Sequence, residues 1–451
     1  MALVGRLVWI ICKRPCLYSF FLNFGLYEQF YNHSAQRDNN VSELTRTHFE
    51  TLDQNDSLAP MRDEFDLQDG LIYLDGNSLG VLPKATVARV SEVIQQQWGV
   101  DLIRSWNCNQ WMQKPIELGD KIGQLVGAEA GQMLVCDTTS INIFKLAAAA
   151  VKMRPGRTKL ITETGNFATD LYLLQGLAKL LGDQVQVVAL PRHQVLEAID
   201  DDTALVLLTH THFKTGAMWD MPAVTQLAQQ KGALMMWDLC HSVGAMPIYL
   251  DKVNADLAVG CTYKYLNGGP GSPAFVYVAK RHLNHFEQPL TGWLGHAKPF
   301  DFEDDYQGAA GIQQAMCGTP PVLANAALEV ALDVMLKADM QQVRCKSQHM
   351  GNLFIKLIQQ RCPWFELGSP IDDEQRGSQV SLIHSQGYAI IQALIERNIV
   401  GDFRAPDHLR FGFTPLYLKY VDLWDTADAL VDIMSNDHWN QPQFLQQQAV
   451  T

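Results

Sequence analysis

The sequence predicts an α/β protein: a large, mostly parallel β-sheet covered by helices, followed by a smaller α+β domain at the C-terminal end. Two observations carry this prediction. From residue 133 onward, apolar runs of strand length alternate with longer helical patterns, as they do in parallel sheets. The chain has 451 residues. Because a single hydrophobic core stops growing near roughly 250 to 300 residues, two domains are expected.

The strands of the sheet are predicted in chain order, at residues 133–136, 159–162, 185–190, 204–209, 233–237, 256–261 and 274–278. Helical patterns between them cover residues 142–151, 170–181 and 221–230. In open α/β sheets, ligands bind outside the carboxyl ends of the strands. Thr209, Asp238 and Lys264 all fall at such ends, so a site is predicted there.

The pattern changes after Pro320-Pro321, where long helical patterns (322–336, 343–361) precede candidate strands at 379–383 and 409–413. These elements predict the smaller α+β domain. We therefore divide the chain into four segments. They are an extension (1–40), an N-terminal arm associated with the small domain (41–94), the large sheet domain (95–319) and the small domain (320–451).

The extension at 1–40 is apolar but interrupted by Arg6, Lys13, Arg14 and Pro15. These residues break the ~20-residue continuity of a membrane span, and no small-residue cleavage site follows for a signal peptide. No methionine lies between Met1 and Met61. One hypothesis is therefore translation from a non-AUG codon near residue 41, and the alternative is a targeting role. The intact mass of the natively expressed protein would decide between them.

Composition excludes several functional classes. A net charge of −13 argues against nucleic acid or an anionic membrane as the main partner. Nine cysteines are scattered without CxxC or zinc-ligand spacing, so neither a disulfide framework nor a metal site is expected. This cysteine usage predicts a reduced, cytoplasmic setting.

Lys264 is the candidate catalytic residue. It lies in Thr-Tyr-Lys-Tyr-Leu-Asn-Gly-Gly after an apolar run, and Asp238 ends the preceding apolar run. A partly buried amine beside a cationic ring loses its proton readily and can bind an aldehyde cofactor. A carboxylate can keep a pyridine nitrogen protonated, which makes the ring an electron acceptor. The pair predicts pyridoxal 5′-phosphate; the alternative is two solvated strand termini.

Three further positions have both a functional and a structural interpretation. The segment 138–142 opens a helix after a strand, so it could receive a phosphate or be a simple N-cap. Phe167 and Asp170 could contact a flat ring or only pack. Arg410, flanked by apolar residues, needs a buried partner, and a substrate carboxylate would be one. His210 and His212 lack a third ligand at metal spacing and are interpreted as structural histidines.

Together these motifs resemble the kynureninases, pyridoxal phosphate enzymes of the aspartate aminotransferase fold (fold type I). The resemblance is colinear from about residue 51 to residue 439. Segments that carry it are 73–80, 138–145, 166–170, 237–244, 262–271, 292–296 and 410–417.

The resemblance implies a set of site residues. The implied cofactor contacts are Thr139, Ser140 and Tyr263 at the phosphate, Phe167 stacked on the ring, Asp170 and Thr209 at its substituents, Asp238 at the pyridinium nitrogen, His241 close by, and Lys264. Trp293 and Thr319 are implied to reach across from a second subunit, which predicts a homodimer with shared sites. The implied substrate contacts are Ser78, Trp106, His296 and Arg410, the last at the α-carboxylate.

The implied reaction is hydrolysis of L-kynurenine, and of its 3-hydroxy form, to anthranilate or 3-hydroxyanthranilate and L-alanine. It belongs to tryptophan degradation and NAD-related metabolism, with Lys264, Tyr263 and Asp238 as catalytic residues. Trp106 and Thr319 resemble the bacterial members, which prefer L-kynurenine. Two alternatives remain: another fold type I enzyme such as a cysteine desulfurase, with Cys317 as its candidate thiol, or a non-catalytic binding protein of the same fold.

Overall fold

The computed structural model of the chain describes residues 44–182 and 184–448, so the predictions made for residues 1–40 lie outside the described part. The described strands are β1 (Ile72–Tyr73), β2 (Met133–Val135), β3 (Lys159–Glu163), β4 (Gln186–Leu190), β5 (Thr203–Thr209), β6 (Leu234–Asp238), β7 (Leu257–Gly260), β8 (Phe275–Val278), β9 (Glu366–Leu367), β10 (Gln379–Ile383), β11 (Ile399–Val400), β12 (Asp402–Arg404) and β13 (His408–Gly412).

The described α-helices are α1 (Arg46–Gln54), α2 (Ala85–Glu92), α3 (Ser105–Cys108), α4 (Lys114–Val126), α5 (Thr139–Met153), α6 (Ala168–Leu180), α7 (Arg192–Val195), α8 (Met221–Gln230), α9 (Val322–Met335), α10 (Met340–Arg361), α11 (Gly387–Ile395), α12 (Tyr420–Ser435) and α13 (Pro442–Leu445). A π-helix spans Val93–Asp101, and short 3₁₀ helices lie at Ala59–Glu64, Leu102–Arg104, Trp293–Gly295, Gly311–Ala315 and Asp373–Gln375.

A seven-stranded sheet in the order β2-β8-β7-β6-β5-β3-β4 forms the larger part of the fold. Strands β4, β3, β5, β6 and β7 are parallel, whereas β8 runs antiparallel to both of its neighbours. All residues of β5 and β6 are buried, as expected for parallel strands covered on both faces. The mostly parallel sheet predicted from the sequence is confirmed, and each predicted strand ends within a few residues of the observed one.

The C-terminal region contains the antiparallel sheet β12-β13-β10-β9. Its register places Asp402 directly opposite Arg410. Strands β10 and β13 were predicted, whereas β9, β11 and β12 were not, because runs of two or three residues carry no readable periodicity. A parallel pair, β1 with β11, joins Ile72 to Ile399 as a separate two-stranded sheet and so ties the N-terminal arm to the C-terminal region.

Contacts divide the chain into residues 1–49, of which 44–49 are described, and residues 50–451, which contain every described strand. The boundaries at 94/95 and 319/320 stay a prediction. In the described ranges, no helix combines the length and the apolarity that crossing a membrane requires.

Candidate active site

Lys264 lies in a tight turn just after β7. Asn267 takes the left-handed conformation (φ +58°), and its N–H donates to the Lys264 carbonyl oxygen at 2.9 Å. The N-terminal arm closes over this turn, because the Gly80 N–H donates to the Tyr263 carbonyl oxygen at 2.7 Å. A Cβ at Gly80 would lie 2.4 Å from the Lys264 carbonyl oxygen. Only glycine therefore allows the arm to approach the lysine turn this closely.

The Lys264 amine is positioned by a buried histidine. Lys264 Nζ lies 2.9 Å from Nε2 of His241. Burial, and then the charge of Lys264, lower the pKa of His241 well below its ordinary value. The imidazole is therefore neutral, and its Nε2 accepts a hydrogen bond from the amine. The structure thus brings together two of the residues predicted from the sequence.

Asp238, the last residue of β6, belongs to a buried polar cluster with Thr209 and Asp170. Its Oδ1 accepts the Cys240 N–H at 2.8 Å, and its Oδ2 lies 3.3 Å from Thr209 Oγ1. Thr209 Oγ1 is also 3.1 Å from Asp170 Oδ2. Burial and the neighbouring Asp238 raise the pKa of Asp170 well above its ordinary value, against a smaller opposing effect of Lys264. Protonation of Asp170 is therefore favoured beside Asp238.

An aromatic face lies beside the amine. The ring of Phe167, half-exposed at the start of α6, has its centroid 5.9 Å from Lys264 Nζ. Phe213 packs edge-on against Phe167, with ring centroids 5.5 Å apart. The arrangement leaves one face of Phe167 accessible to a planar molecule that could reach the amine.

The start of α5 is the segment predicted to bind the cofactor phosphate. Thr138 is the N-cap, and its Oγ1 accepts the Ile141 N–H at 3.3 Å; phosphate binding by this segment stays a prediction. The cap does not use the N–H groups of Thr139 and Ser140, which remain directed out of the helix N-terminus. Thr139 Oγ1 lies 3.8 Å from Cys240 Sγ, two residues beyond Asp238.

Tyr263 stays a phenol in this environment. Burial, reinforced by the adjacent Cys261 and Cys240, raises its pKa far above the ordinary value. The hydroxyl is therefore available as a hydrogen-bond donor throughout the physiological pH range.

Arg410 has a partner within the chain, which the sequence interpretation missed. Its Nε donates to Asp402 Oδ1 at 2.6 Å and its Nη2 donates to Asp402 Oδ2, so the pair is bidentate and almost fully buried. Arg410 Nη2 also donates to Ser78 Oγ at 2.9 Å. Asp402 therefore already pairs with this buried charge, so the charge does not depend on a substrate carboxylate for a partner. Contact between Arg410 and a substrate stays a prediction.

Four predicted residues are not joined to this cluster by any contact in the described part of the chain. Trp106 packs edge-on against Trp111, and His296 accepts the Lys298 N–H at Nδ1. Trp293, the first residue of a 3₁₀ helix, and Thr319 are both exposed. The segments that carry them touch, since a Cβ at Gly292 would overlap the Cys317 carbonyl oxygen. Their roles stay predictions.

The structure also adds residues that sequence reasoning missed. They are Asn166, whose Nδ2 donates to Asp170 at 2.9 Å, Gln379, whose Nε2 donates to the Phe213 carbonyl at 3.0 Å, and Asp402 with Arg404 on β12. Asp402 and Arg404 carry opposite charges on either side of Phe403, shortly before Arg410 in the chain. This pattern was a usable signal for a charged partner of Arg410. Asn166 and Gln379 had no such signal.

The two histidines interpreted as structural are hydrogen-bonded within the chain. His210 Nδ1 lies 2.9 Å from Ser242 Oγ, and His212 Nε2 lies 3.0 Å from the Gly165 carbonyl. Burial lowers the pKa of both to about 4. In the described residues, no group of three or more His, Cys, Asp or Glu is placed to hold a metal ion.

The residues present fit pyridoxal phosphate. An amine, a buried carboxylate, an aromatic face and a helix N-terminus meet at the carboxyl edge of the parallel strands, and each matches one part of the cofactor. Solved structures share the fold. A Thermococcus onnurineus cysteine desulfurase has a TM-score of 0.71 at 17% identity and covers 84% of this chain and 98% of its own. The Escherichia coli cysteine desulfurase CsdA has a TM-score of 0.70 at 20% identity and covers 84% and 99%.

Another neighbour is a C-DES mutant with glycine covalently linked to its pyridoxal phosphate, with a TM-score of 0.70 at 15% identity over 81% of this chain and 99% of that one. The fold and the site therefore define a pyridoxal phosphate-dependent enzyme of fold type I. Family models agree: the DegT/DnrJ/EryC1/StrS aminotransferase family matches residues 116–253, and the kynureninase C-terminal domain matches residues 343–430.

Full-length relatives identify the family. Kynureninases of Burkholderia pseudomallei (strain 1106a) and Pseudomonas fluorescens are each 47% identical to this chain, over 414 and 415 residues. Both alignments cover 90% of this chain and 100% of the relative. The chain belongs to the kynureninase family, pyridoxal phosphate-dependent hydrolases that act on a carbon–carbon bond.

Proposed function

We propose that this protein hydrolyses L-kynurenine to anthranilate and L-alanine, and 3-hydroxy-L-kynurenine to 3-hydroxyanthranilate and L-alanine, in tryptophan degradation and NAD-related metabolism. One observation supports this most directly. In a chain of the kynureninase family, Lys264 and Asp238 lie at the ends of neighbouring strands beside one polar cluster.

When bound, pyridoxal phosphate supplies a cationic ring that accepts electron density from the substrate carbon. Asp238 would hold the protonated ring nitrogen, and burial beside Asp238 favours the protonated form of the neighbouring Asp170. Lys264 Nζ is the base for the substrate Cα proton. Neutral His241 accepts a hydrogen bond from Nζ, so it positions the amine without adding a competing positive charge.

Tyr263 serves the hydrolytic step. Because burial keeps its phenol protonated, Tyr263 can donate a hydrogen bond to the γ-carbonyl oxygen as water adds to that carbon. The bond between Cβ and Cγ then breaks: Cγ leaves as the carboxyl group of anthranilate, and the electron pair stays on Cβ. Cβ and Cα each take up a proton, which gives L-alanine.

The remaining predicted residues bind and orient. Thr139, Ser140 and Tyr263 would hold the cofactor phosphate, Phe167 would lie against its ring, and Thr209 would contact a ring substituent. The predicted substrate contacts are Ser78, Trp106, His296 and Arg410.

Trp293 and Thr319 are assigned to the cofactor site of a partner subunit, which makes the protein a homodimer with shared sites. Both side chains are exposed, as this role requires. Trp106 and Thr319 favour L-kynurenine over its 3-hydroxy form. We place the enzyme in the cytoplasm, where its scattered cysteines would stay reduced.

A desulfurase reaction is disfavoured by the state of Cys317. That activity needs a thiolate to take up sulfur, but burial raises the pKa of Cys317, and its Sγ donates to the Leu290 carbonyl at 3.1 Å. Thiolates that act as nucleophiles have depressed pKa values.

The test is anthranilate fluorescence on adding L-kynurenine or 3-hydroxy-L-kynurenine to the purified holoenzyme, with sulfide release from cysteine as the rival assay. Lys264→Ala should abolish turnover and the absorbance of the lysine-bound cofactor. Lys280→Ala, at an exposed lysine, is the matched control and should behave as wild type. Turnover retained by Lys264→Ala would refute the assignment.

Shared sites have their own test. Co-expressed Lys264→Ala and Trp293→Ala chains should form hybrid dimers with one intact site and regain activity that neither homodimer has. No recovery in isolated hybrids would exclude sites built from both subunits.

A further inference from the structure

Two arginines and one carboxylate form a buried arrangement beside the catalytic lysine. Asp402 and Arg410 face each other across β12 and β13. Arg404 lies two residues from Asp402 on β12, so both side chains fall on the same face of the sheet. Arg404 Nη2 lies 2.7 Å from Asp402 Oδ2. One carboxylate therefore contacts both guanidinium groups.

Ser78 completes the arrangement. Its Oγ donates to Asp402 Oδ2 at 2.8 Å and accepts from Arg410 Nη2 at 2.9 Å and from Arg404 Nη2 at 3.3 Å. Burial by itself would raise the pKa of Asp402, but the hydrogen bonds and charges of Arg410 and Arg404 outweigh burial and lower it. Asp402 is therefore an anion that fixes the orientation of two cations.

The N–H groups that remain for a ligand are unequally divided between Arg410 and Arg404. Arginine has five N–H groups. Arg410 uses one at Nε, two at Nη2 and one at Nη1, where it donates to the Phe213 carbonyl, which leaves one. Counted over the described residues, Arg404 uses one N–H group at Nη1 and two at Nη2, which leaves two N–H groups without an acceptor. A carboxylate accepts at two oxygens, so one free N–H on Arg410 cannot bind it in bidentate fashion.

Exposure and charge agree with this division. The Arg404 side chain is 37% exposed, whereas that of Arg410 is 2% exposed. Two guanidinium groups against one Asp402 carboxylate leave a net positive charge. Arg410 Nη1 donates to the Phe213 carbonyl, and the Phe213 ring packs against Phe167, whose centroid lies 5.9 Å from Lys264 Nζ. These contacts connect the arrangement to the catalytic amine.

We propose that Arg404 is a second binding residue for the substrate α-carboxylate, and that Asp402 is the positioning residue that holds Arg404 and Arg410 together as one clamp. This proposal rests on the proposed function for the identity of the substrate. In the clamp, Arg410 supplies one donor from the buried side and Arg404 supplies the others from the exposed side.

The first test compares Arg404→Gln with Arg397→Gln. Arg397 is a matched control, because it is 30% exposed and pairs with Asp432 at 2.7 Å. Arg404→Gln should raise the KM for L-kynurenine by about tenfold or more with kcat within about threefold, as loss of a ground-state contact does. Arg404→Lys should recover part of that loss, and Arg397→Gln should match wild type.

The second test separates recognition of the carboxylate from a structural role. The inhibition constant of kynuramine, the substrate analogue without the α-carboxylate, should not change in Arg404→Gln. Equal weakening of kynuramine and L-kynurenine, or an unchanged KM for L-kynurenine, would overturn the role of Arg404.

Asp402→Asn tests the positioning role. The Arg404→Gln effect on KM should shrink to less than about threefold in an Asp402→Asn background, because residues that act as one unit are not additive. Fully additive effects would overturn the role of Asp402. If Asp402→Asn fails to fold, Ser78→Ala replaces it, since it removes the hydroxyl shared by both arginines.

A different ligand keeps this proposal separable from the proposed function. L-Alanine binding, followed by the absorbance of the bound cofactor, should weaken about tenfold in Arg404→Gln even if wild type forms no anthranilate. Absence of anthranilate formation would defeat the proposed function, whereas unchanged L-alanine affinity would defeat the clamp.

Discussion

Replacing Arg410 with alanine should destabilise the fold as well as weaken substrate binding. The side chain makes a bidentate pair with Asp402 and donates to Ser78 Oγ and to the Phe213 carbonyl. Arg410→Ala leaves the Asp402 carboxylate, whose side chain is 2% exposed, without its main partner. Removing one partner of a buried ion pair destabilises proteins by about 3 to 5 kcal/mol.

The lower part of that range is expected, about 3 kcal/mol, because Arg404 and Ser78 still contact Asp402 in the variant. The sequence alone suggested only weaker substrate binding for this change. The buried Asp402 partner adds the stability loss, and we expect KM to rise as well.

The assay is urea unfolding of the holoenzyme, in which tryptophan fluorescence reports the fraction unfolded. Arg397→Ala is the control, since it removes a partly exposed arginine paired with an aspartate at the surface, and such pairs contribute about 0 to 1 kcal/mol. Equal losses of unfolding free energy in Arg410→Ala and Arg397→Ala would show that the Arg410 pair does not act as a buried charge pair.

Three further predictions concern Asp75, Gly80 and Cys317. Burial and the neighbouring Asp402 raise the pKa of Asp75 to about 7, so folding favours the protonated form of this carboxyl. The stability that Asp75 contributes is therefore present at low pH and is lost as the pH rises toward 7. The free energy of unfolding should fall by about 2 to 3 kcal/mol between pH 5 and 8 for this reason. Asp75→Asn should remove that part of the decline in urea unfolding, and an unchanged decline would contradict the assignment. Gly80→Ala should destabilise by about 1 to 3 kcal/mol through overpacking and displace the lysine turn, which thermal unfolding and the cofactor absorbance would report. Gly176→Ala is its control, because a Cβ at Gly176 in helix α6 meets open space, and this variant should be neutral or slightly stabilising. Similar behaviour of the two variants would rule out the close approach of Gly80 to the lysine turn. Cys317→Ser should keep anthranilate formation within about twofold of wild type, since a thiol with a raised pKa is not a nucleophile, and loss of turnover with retained cofactor binding would reopen the desulfurase alternative.

The sheet was predictable because its signal is local. Apolar runs of four to six residues separated by helical patterns identify buried parallel strands without knowledge of their order. The carboxyl ends of parallel strands share one edge, so Thr209, Asp238 and the Lys264 turn had to lie near one another. The same reasoning predicted that a helix opens after the strand at 133–136, and the observed helix begins there, at Thr139.

The partners of these side chains depended on tertiary structure. Asp402 faces Arg410 because of the antiparallel register of two short strands, and neither strand length nor composition fixes a register by itself. Gly80 meets the lysine turn, and Gln379 meets the Phe213 loop, through contacts between segments far apart in the chain.

The sequence by itself thus determined the fold class, the family resemblance, and the amine and carboxylate at the strand ends, because periodicity and motif are properties of consecutive residues. Tertiary structure alone decided which charges are paired, which donors remain for a ligand and which residue keeps its proton. These depend on burial and on distances of a few ångströms between side chains that only folding brings together.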